Sequence, residues 1–265
     1  MTESEPSIAC LLGAGYSLAA GIPLAKDLLR TGYLLARSQR AENRFKLVRA
    51  HFAEWQEAHP LSHSEQYLGG IFNRSLGDNA PPWNWVVEYI SAAIASVGTP
   101  LASLNRNPRY SNRVNRPTGC RTHMYFWGTI LNHSHNVSVL TTNYDILIER
   151  ALRHRVMHRP PSPGCYYGGF SRPQVLKGAA QPFSAWGPEK LSEMTGSVPI
   201  FKLHGSLNWS LEGGKVIMYQ DARAAFRKGG NAAIVPPVPE KSIPLWLKEV
   251  WEESNVALKN WDLYT

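Results

Sequence analysis

The sequence predicts an α/β fold built on a parallel sheet flanked by helices. Two observations carry that prediction. Short apolar runs suited to buried strands are separated by helical patterns, the order that crossover connections between parallel strands require. In addition, three polar motifs, GAGYS, TTNYD and HGS, each follow directly on such a run. Those are the strand ends at which an open parallel sheet binds ligands.

The elements follow in order. Residues 8–12, IACLL, read as a buried strand, and the Gly-rich GAGYSLAAGIP comes straight after it. Glycine inside an element costs roughly 0.5–1 kcal/mol relative to alanine, so three of them imply positive φ or close approach of something to the backbone. Pro23 fits the first turn of a helix over 23–35, with Leu24, Leu28 and Leu29 on one face. Residues 41–58 alternate charged and apolar positions at helical spacing, and 83–97, WNWVVEYISAAIASV, predict a largely buried helix. From 98 to 120 the chain is rich in Asn, Arg and Pro without an apolar stripe, which predicts a long, basic, mobile loop.

Regular structure resumes with a helix over 122–131 and a strand over 136–140 leading into TTNYD. A helix follows over 146–154. Residues 159–196, dense in Pro and Gly, are expected to form an irregular insertion. A strand over 198–203 runs into His204-Gly205-Ser206, with an edge strand expected at 215–219, a loop at 234–237 and a last helix over 244–261. Lys202 and Asn208, which flank the His element, read as scaffold. No internal repeat or low-complexity segment stands out.

Composition narrows the class. The chain has 265 residues, 43% of them hydrophobic, enough for a substantial core. No apolar stretch approaches the length that crosses a bilayer, so no membrane role is expected. The first residues, MTESEPS, lack the basic and apolar segments of a signal peptide, and Cys10, Cys120 and Cys165 show no CxxC spacing. Both features predict a cytoplasmic protein with idle thiols and no zinc site. Net charge is +8, but between Tyr89 and Pro188 eleven Lys and Arg face only Asp145 and Glu149, a local excess of +9. That excess fits a solvated basic surface, an anionic ligand, an acidic partner or a nucleic acid, with residues 105–116 as the candidate contact.

Each motif alone has an ordinary explanation. The glycines do not complete a GxGxxG fingerprint, a His at a strand end is commonly scaffold, and Asn143 or Asp145 could cap the helix that follows. Their order is more specific. Gly13-Ala14-Gly15-Tyr16-Ser17 with Gly21-Ile22-Pro23, then Thr142-Asn143-Tyr144-Asp145, then Leu203-His204-Gly205 resembles the sirtuin family. The resemblance spans residues 8 to about 210, with a looser likeness to Pro237.

That resemblance implies NAD binding in a Rossmann-like domain. Gly13, Ala14, Gly15 and Ser17 would form the turn that cradles the pyrophosphate and the nearby ribose. Thr142 and Gly205 belong to the same binding motifs. Asn143 would bond the nicotinamide ribose or its attacking water, Asp145 would hold the carboxamide, and His204 would serve as base near the ribose hydroxyls.

Departures from the deacetylases of that family point to a branch. They carry GIPDFR where this chain has GIPLAKDL, and they carry two zinc-binding CxxC pairs that are absent here. TTNYD, GIPL and KLHGSLNW look instead like bacterial sirtuin-like proteins of antiphage defence, which hydrolyse NAD outright. The expected function is therefore an NAD hydrolase, with Asn143 and His204 catalytic. A sirtuin-type protein deacylase and a non-catalytic NAD-sensing module are the alternatives. Those relatives also have a further strand with a GYSLP-like turn after the last helix. The expectation is thus a single domain over 1–265 that is a fragment or N-terminal part of a longer effector, with its sheet incomplete at the C-terminus. A sensor domain or partner protein and a homo-oligomer are expected on the same grounds.

Overall fold

A computed structural model describes residues 7–18, 20, 22, 24, 27–30, 39–97, 120–134, 136–158, 165–170, 174–175, 185–186, 198–219, 231–238 and 242–259. The fold is α/β and Rossmann-like, as the sequence predicts. Strands β1 (Ser7–Leu12), β2 (Asn136–Thr141), β3 (Cys165–Tyr167) and β6 (Val198–Lys202) form one sheet in the order β1-β2-β6-β3. Every pairing in it is parallel. β2 is buried from Val137 to Thr141, whereas β1 lies at the edge of the described sheet with Leu11 exposed.

Helices supply the layers. α1 (Ala14–Leu18) is a single turn following β1, and α2 (Gln39–Ala58) buries Ala41, Phe45, Val48 and Phe52, the stripe its spacing predicts. α3 (Ser64–Phe72) and α4 (Trp83–Val97) complete a helical core with α2, and α4 is buried throughout Tyr89–Ala95. α5 (Cys120–His133) presents His123, Trp127 and Leu131 to a second core on the sheet. α6 (Leu147–His158) and α7 (Lys248–Lys259) pack on that sheet through Ile148, Ala151, Leu152 and Val250. Tyr16 packs against both cores, so the Gly-rich turn sits where they meet.

The second sheet was not anticipated. β7 (Gly205–Glu212) begins immediately after His204 and pairs antiparallel with β8 (Lys215–Met218) and β9 (Asn231–Ile234). β8 is the edge strand expected near 215–219.

Two expectations need correction. The helix expected over 23–35 does not appear in its described part, where Asp27 N donates to Leu24 O at 2.9 Å and Arg30 N to Asp27 O at 3.0 Å. Those i to i−3 bonds make tight turns that bury Leu28 and Leu29 without an α-helix. The stretch 159–196 is not wholly irregular, because β3 lies within it and joins the main sheet beside β6. A two-residue pair, β4 (Gln174–Val175) with β5 (Ala185–Trp186), lies there too. Tyr167 explains the docking of β3: its ring meets Trp209 edge-on at 5.0 Å and its hydroxyl reaches Glu149 at 2.9 Å. Gly21, Pro23 and the basic stretch 98–119 lie outside the described residues, while Cys120 opens α5. Among the described residues no helix is long and apolar enough to cross a membrane.

Candidate functional site

The three motifs leave the sheet at one level. In the parallel register Leu12 lies opposite Thr141, and Thr141 lies opposite Lys202. Gly13, Thr142 and Leu203 are therefore the first residues beyond three aligned strand ends. Thr141 fastens them: its hydroxyl donates to Leu12 O at 2.8 Å and accepts from Asn143 N at 3.1 Å. Its carbonyl accepts from Leu203 N at 2.9 Å.

Above this level Asn143 spans two motifs. Its Nδ2 donates to Gly13 O at 2.8 Å and to Ser17 Oγ at 2.9 Å. A backbone carbonyl can only accept, which fixes the amide orientation and uses both of its N–H donors. Ser17 Oγ in turn donates to Asp145 Oδ2 at 2.6 Å, and Asp145 Oδ1 accepts from Leu147 N at 3.0 Å. The three side chains are buried. An asparagine side chain offers both donors and an acceptor to a ligand. The donors are spent on the protein, and Oδ1 is the atom left to face one. The helix cap suggested for Asp145 is realised at Leu147, while the carboxylate keeps acceptor capacity beyond its two bonds.

The glycines divide into two kinds. Gly13 and Gly15 are exposed, have no positive φ, and a Cβ built on either meets nothing within 4 Å. Gly15 lies in helical backbone, where glycine costs about 1 kcal/mol relative to alanine. Nothing within the described protein requires glycine at these two positions. Gly205 is the opposite case. Its φ is +79°, and a Cβ there would land on the carbonyl oxygen of Ala233 and crowd the Trp246 ring. The turn from His204 into β7 therefore demands glycine for its own sake.

His204 is half-buried, with its carbonyl bonded by Val235 N at 2.9 Å and its ring 6.3 Å from that of Tyr144. Tyr144 is pinned by its hydroxyl, which donates to Val235 O at 2.7 Å, and burial drives its phenol pKa well up. Thr142 is half-buried and Ala14 exposed beside the glycines. On the other side of the turn the Tyr16 ring stacks on His123 at 4.3 Å, and Trp127 Nε1 donates to Tyr16 Oη at 2.8 Å. His123 Nε2 lies 2.8 Å from Tyr16 O, which can only accept, so that nitrogen carries a proton, and Nδ1 is buried with no hydrogen-bond partner among the described residues.

Sequence reasoning missed a buried ion pair beneath the site. Lys202, read as scaffold, pairs with Glu149 at 3.1 Å, with side chains 0% and 3% exposed. Glu149 Oε1 also accepts from Tyr167, Asn208 Nδ2 donates to the Tyr167 oxygen at 3.1 Å, and Ser206 donates to Asn208 Oδ1 at 2.6 Å. Burial, ahead of the neighbouring Glu149 charge, holds the Tyr167 phenol far above its ordinary pKa. One signal was available: a lysine inside the apolar run VPIFKL cannot be buried without a counter-charge.

In open parallel α/β sheets ligands bind beyond the carboxyl ends of the strands, and the Gly13, Asn143 and His204 loops leave this sheet at that end. The family model of the SIR2-like domain matches residues 137–231. That span holds β2, the TTNYD turn, β6 and the His204 element, and over it the chain is similar to that domain. No curated protein matches the chain.

Proposed function

We propose that this chain hydrolyses NAD to nicotinamide and ADP-ribose, as an effector domain of bacterial antiphage defence. Support comes from the match to the SIR2-like domain and from the motif details that depart from the deacetylases. The observation that carries the reading is the vacant Cβ space at Gly13 and Gly15 beside Asn143, which bonds that same turn. Glycines that the protein's own packing does not need are accounted for by a ligand backbone passing close. In this reading Gly13, Ala14, Gly15 and Ser17 cradle the dinucleotide, with Thr142 and Gly205 lining the same rim.

NAD supplies a ribose C1′ bonded to a cationic ring nitrogen, so nicotinamide departs neutral and needs no general acid, unlike the leaving group of an ordinary glycoside. The residues have correspondingly few tasks. Asn143 Oδ1 accepts a hydrogen bond from a ribose hydroxyl or from water, its direction set by the two bonds of Nδ2. His204 takes the proton of the attacking water, a role typically worth about 10²–10⁴-fold. Asp145 orients Ser17 and offers its remaining lone pairs to the carboxamide. A sensor domain or partner protein restrains the activity, since unchecked loss of NAD is lethal to the cell that carries it.

The test is to incubate the purified chain with NAD and follow free nicotinamide, with and without an acylated peptide. Release without peptide is the expected result. Release only with peptide makes the chain a deacylase, and binding without turnover makes it a sensing module; either outcome overturns the proposal.

A further inference from the structure

Lys202 has three N–H donors and three acceptors meet them: Glu149 Oε1 at 3.1 Å, Asn143 O at 3.4 Å, and Asp145 O. The two carbonyls bracket Tyr144 in the turn that presents Asn143. The lysine itself ends β6, two residues before His204. One ammonium therefore spans the strand that carries one site residue and the turn that carries the other.

Packing alone is a weak explanation for a charge at this position. Buried ion pairs are commonly no more stabilising than apolar residues of the same volume. An apolar side chain at 202 would fill the space but take this donor from the two carbonyls. The turn's backbone would then be held through Asn143 N on Thr141 Oγ1 and through Tyr144 O, which accepts from Leu207 N at 2.8 Å and from Ser206 Oγ at 3.3 Å. Glu149 offsets the charge from α6, and Tyr167 holds Glu149 from β3. The chain thus runs from three separate elements to a single backbone turn.

We infer that Lys202 is a positioning residue, whose ammonium sets the backbone at 143–145 relative to the strand end bearing His204. The inference deepens the NAD-hydrolase reading and rests on it for its kinetic consequence. Its structural consequence stands apart: without Lys202 the backbone at 143–145 should loosen, and with it the two Nδ2 bonds that direct the Asn143 side chain.

The informative variant is K202M/E149Q, which removes both charges together and leaves no unpaired buried carboxylate. Expected are cooperative unfolding, NAD affinity within about threefold of wild type, and nicotinamide release at saturating NAD slowed at least tenfold. In protein labelled with ¹⁵N-asparagine, the Asn143 side-chain NH₂ signals should shift towards those of a free amide and exchange faster with solvent. A folded double variant with wild-type turnover and unchanged Asn143 signals overturns the inference. If the wild-type chain itself releases no nicotinamide, the hydrolase reading fails and the amide signals alone judge Lys202. Should the double variant not fold, ¹⁵N-lysine labelling of the wild-type chain decides. One slowly exchanging ammonium with contacts to residues 143–145 supports the inference, and its absence overturns it.

Discussion

Asn143 Nδ2 donates a hydrogen bond to the carbonyl of Gly13 at 2.8 Å across 130 residues of chain. With the second bond to Ser17, this contact ties the turn after β2 to the turn after β1. Asn143→Ala removes both bonds and the free Oδ1. Nicotinamide release should fall at least 100-fold while far-UV circular dichroism stays native. Each lost bond is worth about 1 kcal/mol, so a modest drop in Tm accompanies it. A variant that retained wild-type turnover would remove Asn143 from the proposed machinery.

His204→Ala separates chemistry from structure in a different way. The backbone bond from Val235 N to His204 O survives the substitution. Turnover should drop about 10²–10⁴-fold, the usual range for a general base, with NAD affinity little changed. Calorimetric binding and nicotinamide release, measured on one preparation, check this.

The two kinds of glycine should respond oppositely. Gly15→Ala fills open space in a helical turn, so stability should rise by about 0.5–1 kcal/mol while NAD binding weakens at least tenfold. Gly205→Ala meets the Ala233 carbonyl at a positive φ and should destabilise the fold by more than about 1–2 kcal/mol. Thermal melts and NAD titrations of the pair distinguish a ligand-facing glycine from a backbone-required one.

Burial raises the Cys10 thiol from 9.0 to about 11, and burial raises the Tyr89 phenol from 10.0 to about 12. An unfolded thiol ionises first, so the folded state is favoured fully below pH 9 and loses this contribution as the pH climbs through 11. For Cys10 the loss reaches roughly 2–3 kcal/mol, with Tyr89 acting in the same direction at higher pH. Urea melts from pH 8 to 11 should show declining stability. Native Cys10 should also resist iodoacetamide at pH 8 and react on unfolding, as read by peptide mapping.

The rim of the sheet was legible in the sequence because its residues are conspicuous: Gly, Asn and His directly behind apolar runs. Less visible was everything that depends on distant partners. α3 reads SEQYLGGIF, whose two glycines lower helix propensity, and it forms because Tyr67, Leu68 and Ile71 are buried. β7 escaped notice since Ser206, Asn208 and Ser210 look solvent-facing yet are all buried. Ser206 and Asn208 are satisfied by Tyr144, Tyr167 and Tyr219 from elsewhere in the chain. The Lys202–Glu149 pair is of the same sort, since pairing is a property of the folded chain and not of either local stretch.

The shared level of Leu12, Thr141 and Lys202 makes some distances in the chain rigid and others free. One residue inserted within β2 would swing Asn143 to the opposite side of the sheet, because side chains alternate with a period of two. A residue inserted in the connection between α2 and α3 would leave the rim untouched. Natural kin should accordingly hold constant the offset from each strand to its motif while varying widely in the spans between motifs, and length changes ought to accumulate in the helical excursion that separates β1 from β2.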